Sequence, residues 1–175
     1  LRFMPKLDKE SRLLREGTVD METGVVGDDT SPEIRTRVLY HDRFVGVVRP
    51  GHPLSRGKPT LARYAAGQHV VVMRRNLSRN NLVDEALAAS GLSRDVALIV
   101  GGFGTAVALA RSCDLIATVP ERHTAGLREG LYSFVLPFAV PEITISLLWH
   151  PRHDADPAHK WLRERLRAVC AGEAA

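Results

Sequence analysis

The stretch Val96-Ala-Leu-Ile-Val-Gly-Gly-Phe-Gly-Thr-Ala-Val-Ala-Leu-Ala-Arg-Ser-Cys-Asp-Leu-Ile-Ala-Thr-Val-Pro120 decides the fold. Val96–Val100 is short and almost wholly apolar, the pattern of a strand buried on both faces. Gly101, Gly102 and Gly104 follow and permit tight or left-handed backbone. Thr105–Arg111 is rich in alanine and leucine and places Val107 and Ala110 on one helix face. Asp114 ends that helix, and Leu115–Val119 reads as a second buried strand closed by Pro120. Strand, glycine turn, helix and strand make a βαβ unit. The N-terminus of its helix is a natural holder of an anion or a polar ligand.

Strands and helices alternate outward from this unit in both directions. Upstream, Asn81–Ser90 reads as a helix stopped by Gly91, His69–Met73 as a buried strand and Leu61–Ala66 as a short helix. Arg74–Arg79 between them is a basic, polar loop. Ile34–Val48 is a long β-rich run interrupted at Asp42, which suggests a crossing from one lobe to another. Val19–Val26 and Leu1–Met4 read as strands, separated by a helix that carries Leu7, Ser11 and Leu14 on one face and ends at Gly17. Downstream, Pro120–Gly126 is a short helix, and Tyr132–Leu136 and Ile143–Trp149 are strands. Asp156-Pro157 starts the last helix, with Trp161, Leu162, Leu166, Val169 and Cys170 as its apolar stripe. The class is α/β with mostly parallel sheets.

The expected division is residues 1–41 and 142–175 as lobe I and 44–136 as lobe II, with crossings at 42–43 and 137–141. A cleft between two lobes is the usual home of a small ligand. The 175 residues suffice for a real core, and no apolar run reaches the length of a membrane span. Two cysteines are too few for a disulfide framework and fit a reducing cytoplasm. The net charge of +4 is scattered rather than striped, which is weak support for nucleic-acid contact. The chain begins abruptly at Leu1 without an initiator Met, so a fragment is expected.

Gly102-Phe103-Gly104-Thr105-Ala106-Val107 matches a dinucleotide fingerprint except for its third glycine, and Glu121 follows the next strand. Three readings of this turn stay open: a nucleotide phosphate site, close packing of helix on sheet, or N–H groups and the Thr105 hydroxyl offered to a small effector. His150, His153, Asp154, Asp156 and His159 crowd one segment as metal ligands do. Asp156-Pro157 already explains itself as a helix start, and no metal and no cofactor are expected. Cys113 reads as a core cysteine, Trp149 and Trp161 as core anchors and His52 as a turn residue. Arg74 and Arg75 could clamp a carboxylate, and Lys6 and Asp8 follow the first strand where a parallel sheet places its cleft. Gly-x-Ser-x-Gly, Walker and His-Glu-x-x-His motifs are absent.

Several segments, in order along the chain, resemble one family. Val48-Arg49-Pro50-Gly51-His52-Pro53-Leu54 resembles the turn that opens the second lobe of LysR-type transcriptional regulators. Leu13-Leu14-Arg15-Glu16-Gly17-Thr18-Val19-Asp20 and Asp114-Leu115-Ile116-Ala117-Thr118-Val119-Pro120 are similar to further segments of that family. Trp149-His150-Pro151-Arg152, with Asp154 to Arg163, resembles the branch of nodulation and aromatic-degradation regulators.

The resemblance implies two Rossmann-like lobes joined by two crossing segments, as in type 2 periplasmic binding proteins, with the first lobe truncated at its N-terminus. It implies an inducer-binding domain without catalysis, cytoplasmic and assembled as a homodimer or tetramer. DNA would be contacted only through a winged helix-turn-helix absent from this chain, with no membrane partner. The effector positions it implies are Lys6, Leu7 and Asp8, then Gly102, Phe103, Gly104 and Thr105, with Arg74, Asn76 and Glu142 as further positions. A solute-binding protein for transport and a nucleotide-dependent enzyme are the alternatives.

Overall fold

A computed structural model describes residues 1–4, 6, 10–73 and 82–172. In chain order its elements are α1 (Arg12–Glu16), β1 (Met21–Gly24), β2 (Arg35–Asp42), β3 (Phe44–Val48), α2 (Leu61–Ala65), β4 (Gln68–Val72), α3 (Leu82–Ala88), β5 (Asp95–Val100), α4 (Phe103–Ser112), β6 (Leu115–Pro120), β7 (Tyr132–Val135), β8 (Ile143–Trp149) and α5 (Pro157–Ala171). No strand is assigned over residues 1–4. The chain divides into two units, Leu1–His41 with Ile143–Ala175, and Asp42–Glu142. Glu142 therefore falls in the second unit rather than with lobe I.

The second unit holds a five-stranded sheet in the order β5-β4-β6-β3-β7. Its side chains alternate between two cores, as the pleat requires. Val45, Val47, Val70, Leu115, Ala117 and Val119 face α4 through Ala106, Val107 and Ala110. Val48, Ile116 and Phe134 face the other way, toward Tyr64 and Ala65 of α2 and Val83 and Leu87 of α3. The small residues Ala106 and Ala110, four apart, sit flush against the sheet with no exposed surface. Both β5 and β6 run parallel to β4, so the strand–turn–helix–strand unit closes around it.

The structure departs from two expectations. The sheets are mixed rather than mostly parallel: β3 is antiparallel to β6 and β7, and β1 to β8. β3 enters straight from the crossing at Asp42, and without a crossover helix it is free to lie antiparallel. Val96–Val100 is also not buried on both faces. It is the sheet edge, with Val96, Leu98 and Ile99 exposed. An apolar run reads the same whether its own chain or another molecule covers it.

The first unit has a three-stranded sheet ordered β1-β8-β2, packed through Leu14, Ile34 and Leu148. Gly17 closes α1 at φ 74°, a conformation that favours glycine. Asp156 caps α5 by accepting the His159 N–H, with Pro157 at the first helical position, as expected. The apolar stripe of α5 is corrected: Trp161 and Val169 are exposed, and His159 and Arg163 are the buried residues. Arg163 lies 4.7 Å over the Trp149 ring and donates to the His153 carbonyl and to His159 Nδ1, so a charged side chain is buried with its needs met. Cys113, expected in the core, is exposed at the end of α4. No helix among the described residues is long and apolar enough to cross a membrane.

Candidate functional site

Because β4, β5 and β6 are parallel, their C-terminal ends lie along one edge of the second unit's sheet. The chain segments that follow such ends form the customary ligand side of an α/β sheet. After β5 comes Gly101-Gly102 and the start of α4; after β6 comes a tight turn over residues 121–124. The segment after β4 holds Arg74 and Asn76, which lie outside the described residues.

The start of α4 is bare. Gly102 is the N-cap and supplies no side-chain hydrogen bond. The N–H groups of Phe103, Gly104 and Thr105 belong to the first turn and have no partner four residues back in the helix. Thr105 is exposed. Neither ordinary reason for glycine applies here. Gly101, Gly102 and Gly104 all avoid the left-handed region, and Gly102 is extended at φ −159°. Among the described residues, a Cβ at Gly101 or Gly102 would meet nothing within 4 Å, and one at Gly104 only Leu127 Cδ1 at 3.8 Å. The left-handed turn and the close helix–sheet approach offered by the sequence are therefore both corrected: these glycines leave open space at a helix tip.

One wall of this space comes from the turn after β6. The His123 ring meets the Phe103 ring edge-on, 5.9 Å between centroids. The turn is fixed from beneath. Asp42, buried at the end of β2, accepts the N–H groups of Arg43 (2.9 Å), Arg122 (2.8 Å) and His123 (3.0 Å). Arg43 donates to both carboxylate oxygens of Glu121, at 2.5 and 3.2 Å. That pairing holds the Glu121 carboxyl below its ordinary range and the Arg43 guanidinium above its own. Glu121, the acid that a dinucleotide fingerprint would need for a ribose, is already taken by Arg43. Glu142 is exposed and adds its negative charge beside Arg43, on the rim of a hollow of about 180 Å³ that includes Phe44, Leu136, Phe138 and Val140.

Gly102, Phe103, Gly104 and Thr105 are thus together, joined by His123, Leu127 and Asp42, which sequence reasoning missed. The positions after β6 could have signalled His123, because they follow a parallel strand's C-terminal end. Lys6 belongs to the first unit. Its Nζ lies 2.7 Å from Glu22 Oε2, an ion pair whose angle misses hydrogen-bond geometry, and Glu22 also accepts the Ser11 hydroxyl. Leu7 and Asp8 lie outside the described residues. A hollow of about 520 Å³ in the first unit is lined by paired charges, Arg15 with Glu33 and Arg12 with Glu16, beside His150. Among the described residues no three His, Cys, Asp or Glu side chains gather as metal ligands do. His159 of the His-rich segment bonds instead to the Asp20 carbonyl and Arg163.

The family model described as LysR substrate binding domain matches residues 10–171. The HTH-type transcriptional activator NagR of a Ralstonia species is 32% identical over 157 residues, covering 86% of this chain and 50% of NagR. Nodulation protein D 3 of Rhizobium leguminosarum bv. phaseoli is 30% identical over 167 residues, 93% of this chain and 54% of that protein. The chain spans about half the length of the curated relatives it matches. Among solved structures, the probable transcriptional regulator PA0477 from Pseudomonas aeruginosa superposes with a TM-score of 0.78 at 33% identity, over 94% of this chain and 55% of that one.

Proposed function

The chain belongs to the LysR substrate-binding domain family, and from that premise we propose that it is the effector-sensing part of a LysR-type transcriptional regulator. The effector is a small molecule with a carboxylate or another acceptor group, held at the start of α4. The observation that carries this reading is the bare helix tip, where Gly101 and Gly102 leave open space among the described residues and neither φ nor packing there demands glycine. Exposed N–H groups and the Thr105 hydroxyl complement acceptor oxygens, and the partly buried Phe103 complements an apolar body. Nothing in this chemistry makes or breaks a bond.

The mechanism is a population shift: the effector stabilises one conformation of the domain and so biases the assembled regulator. DNA is read by a part outside this chain. Assembly as a homodimer or tetramer is supported by the exposed apolar edge at Val96, Leu98 and Ile99.

A thermal-shift screen of aromatic acids, flavonoids and amino acids tests the reading. Compounds that raise the melting temperature of the parent chain are expected to lose that effect on Phe103→Ala and on Thr105→Val. If both variants respond as the parent does, the effector lies elsewhere.

A further inference from the structure

Asp42 stands where the chain first passes from one unit to the other: His41 is the last residue of the first, Asp42 the first of the second. It is 4% exposed, and its carboxylate is spent on main-chain N–H groups. Oδ1 accepts those of Arg43 and Arg122, and Oδ2 accepts that of His123. Arg43 and Arg122 are far apart in sequence, and one carboxylate oxygen bridges them. A second tie runs alongside, because the Glu121 N–H donates to the Arg43 carbonyl at 2.8 Å.

The turn held this way is stiff. The Thr124 hydroxyl donates to the Pro120 carbonyl, and Arg128 donates to Thr124 Oγ1 and to the Glu121 carbonyl. A push on one end of such a braced segment moves the whole of it. The pushing point is available: the His123 ring rests on Phe103 at the start of α4.

We propose that Asp42 is a positioning residue that clasps the crossing to the turn after β6, so that whatever displaces Phe103 is felt by the backbone at Arg43. This rests on the reading of the α4 tip as the effector site. In that setting the route from effector to crossing is Phe103, His123, the Asp42 carboxylate and the Arg43 amide. Its coupling is carried by one charged group shared between two backbone segments, the kind of contact that has two discrete arrangements, made or broken.

Asparagine at position 42 tests the clasp without removing its bulk. Its single carbonyl oxygen can keep Arg43 and Arg122, but its NH₂ would face the His123 N–H, donor against donor. Amide hydrogen exchange of the unliganded chain is read for the parent, Phe103→Ala, Asp42→Asn and the double variant. In the parent background Phe103→Ala is expected to speed exchange at His123, Arg122 and Arg43 together, by roughly ten-fold for one lost hydrogen bond. Asp42→Asn is expected to speed His123 by a similar factor, and adding Phe103→Ala to it should leave Arg43 unchanged. If Asp42→Asn does not fold, His123→Ala replaces it and should reproduce the Phe103→Ala change at Arg43. Arg43 unmoved by Phe103→Ala and His123→Ala, or strictly additive effects in the double variant, would overturn the proposal. No ligand enters this experiment, so an unsuccessful effector screen and a failed clasp are separately visible.

Discussion

His69 shows how much one buried side chain can govern. It is wholly buried, with Nε2 bonded to the Tyr64 carbonyl at 2.9 Å and Nδ1 without a partner among the described residues. Burial, the largest cause, lowers its pKa to about 4, and the Arg94 charge pushes the same way. The bond to the Tyr64 carbonyl and the charges of Asp84 and Asp95 oppose the shift without cancelling it. The folded chain thus keeps a neutral imidazole where the unfolded chain, titrating near 6.5, takes up a proton. Stability from this group is full above about pH 6.5, falls as pH drops and levels off near pH 4. The whole loss is about 3 kcal/mol. The His69 ring carbon signal in NMR should titrate near pH 4, with urea stability dropping between pH 7 and pH 5; a ring that titrates near 6.5 would contradict this. Single residues of the candidate site were unevenly legible. Phe103 and Thr105 follow from a strand–turn–helix pattern. Asp42 does not, because two of its three partners are main-chain N–H groups 80 and 81 residues away, and no side-chain pattern encodes them.

At the scale of elements, β3 carries a sharp packing constraint. Gly46 lies under the Phe134 ring of β7: a Cβ there would sit 2.3 Å from its nearest carbon. Phe134 has little room to retreat, with Tyr132 stacked 6.2 Å away and Tyr64 at 6.5 Å. Gly46→Ala should therefore cost about 2 kcal/mol or more in urea denaturation. Gly101→Ala, with open space around it among the described residues, should stay within about 0.5 kcal/mol of the parent. Equal stabilities for the two variants would contradict this account of the sheet. Most elements were legible, β8 to its ends, because alternation, caps and prolines mark them locally. The exposure of β5 was not, since hydrophobicity says that a strand is to be covered and not by what. The buried face of α5 was also hidden, because Arg163 is buried by stacking on Trp149 while Trp161 points outward beside Arg165.

At the scale of the molecule, the chain joins two compact units through the segments that meet at His41–Asp42 and Glu142–Ile143. Family membership follows from the match over residues 10–171. The proposed sensing role follows from the open helix tip. Amide NMR shift mapping measures that claim most directly: the chain is titrated in turn with each compound that stabilises it in the thermal screen. The account predicts shifts concentrated at Gly101–Thr105 and His123. Shifts confined to the charged hollow around Arg12, Arg15 and Glu33, with the α4 tip silent, would contradict it.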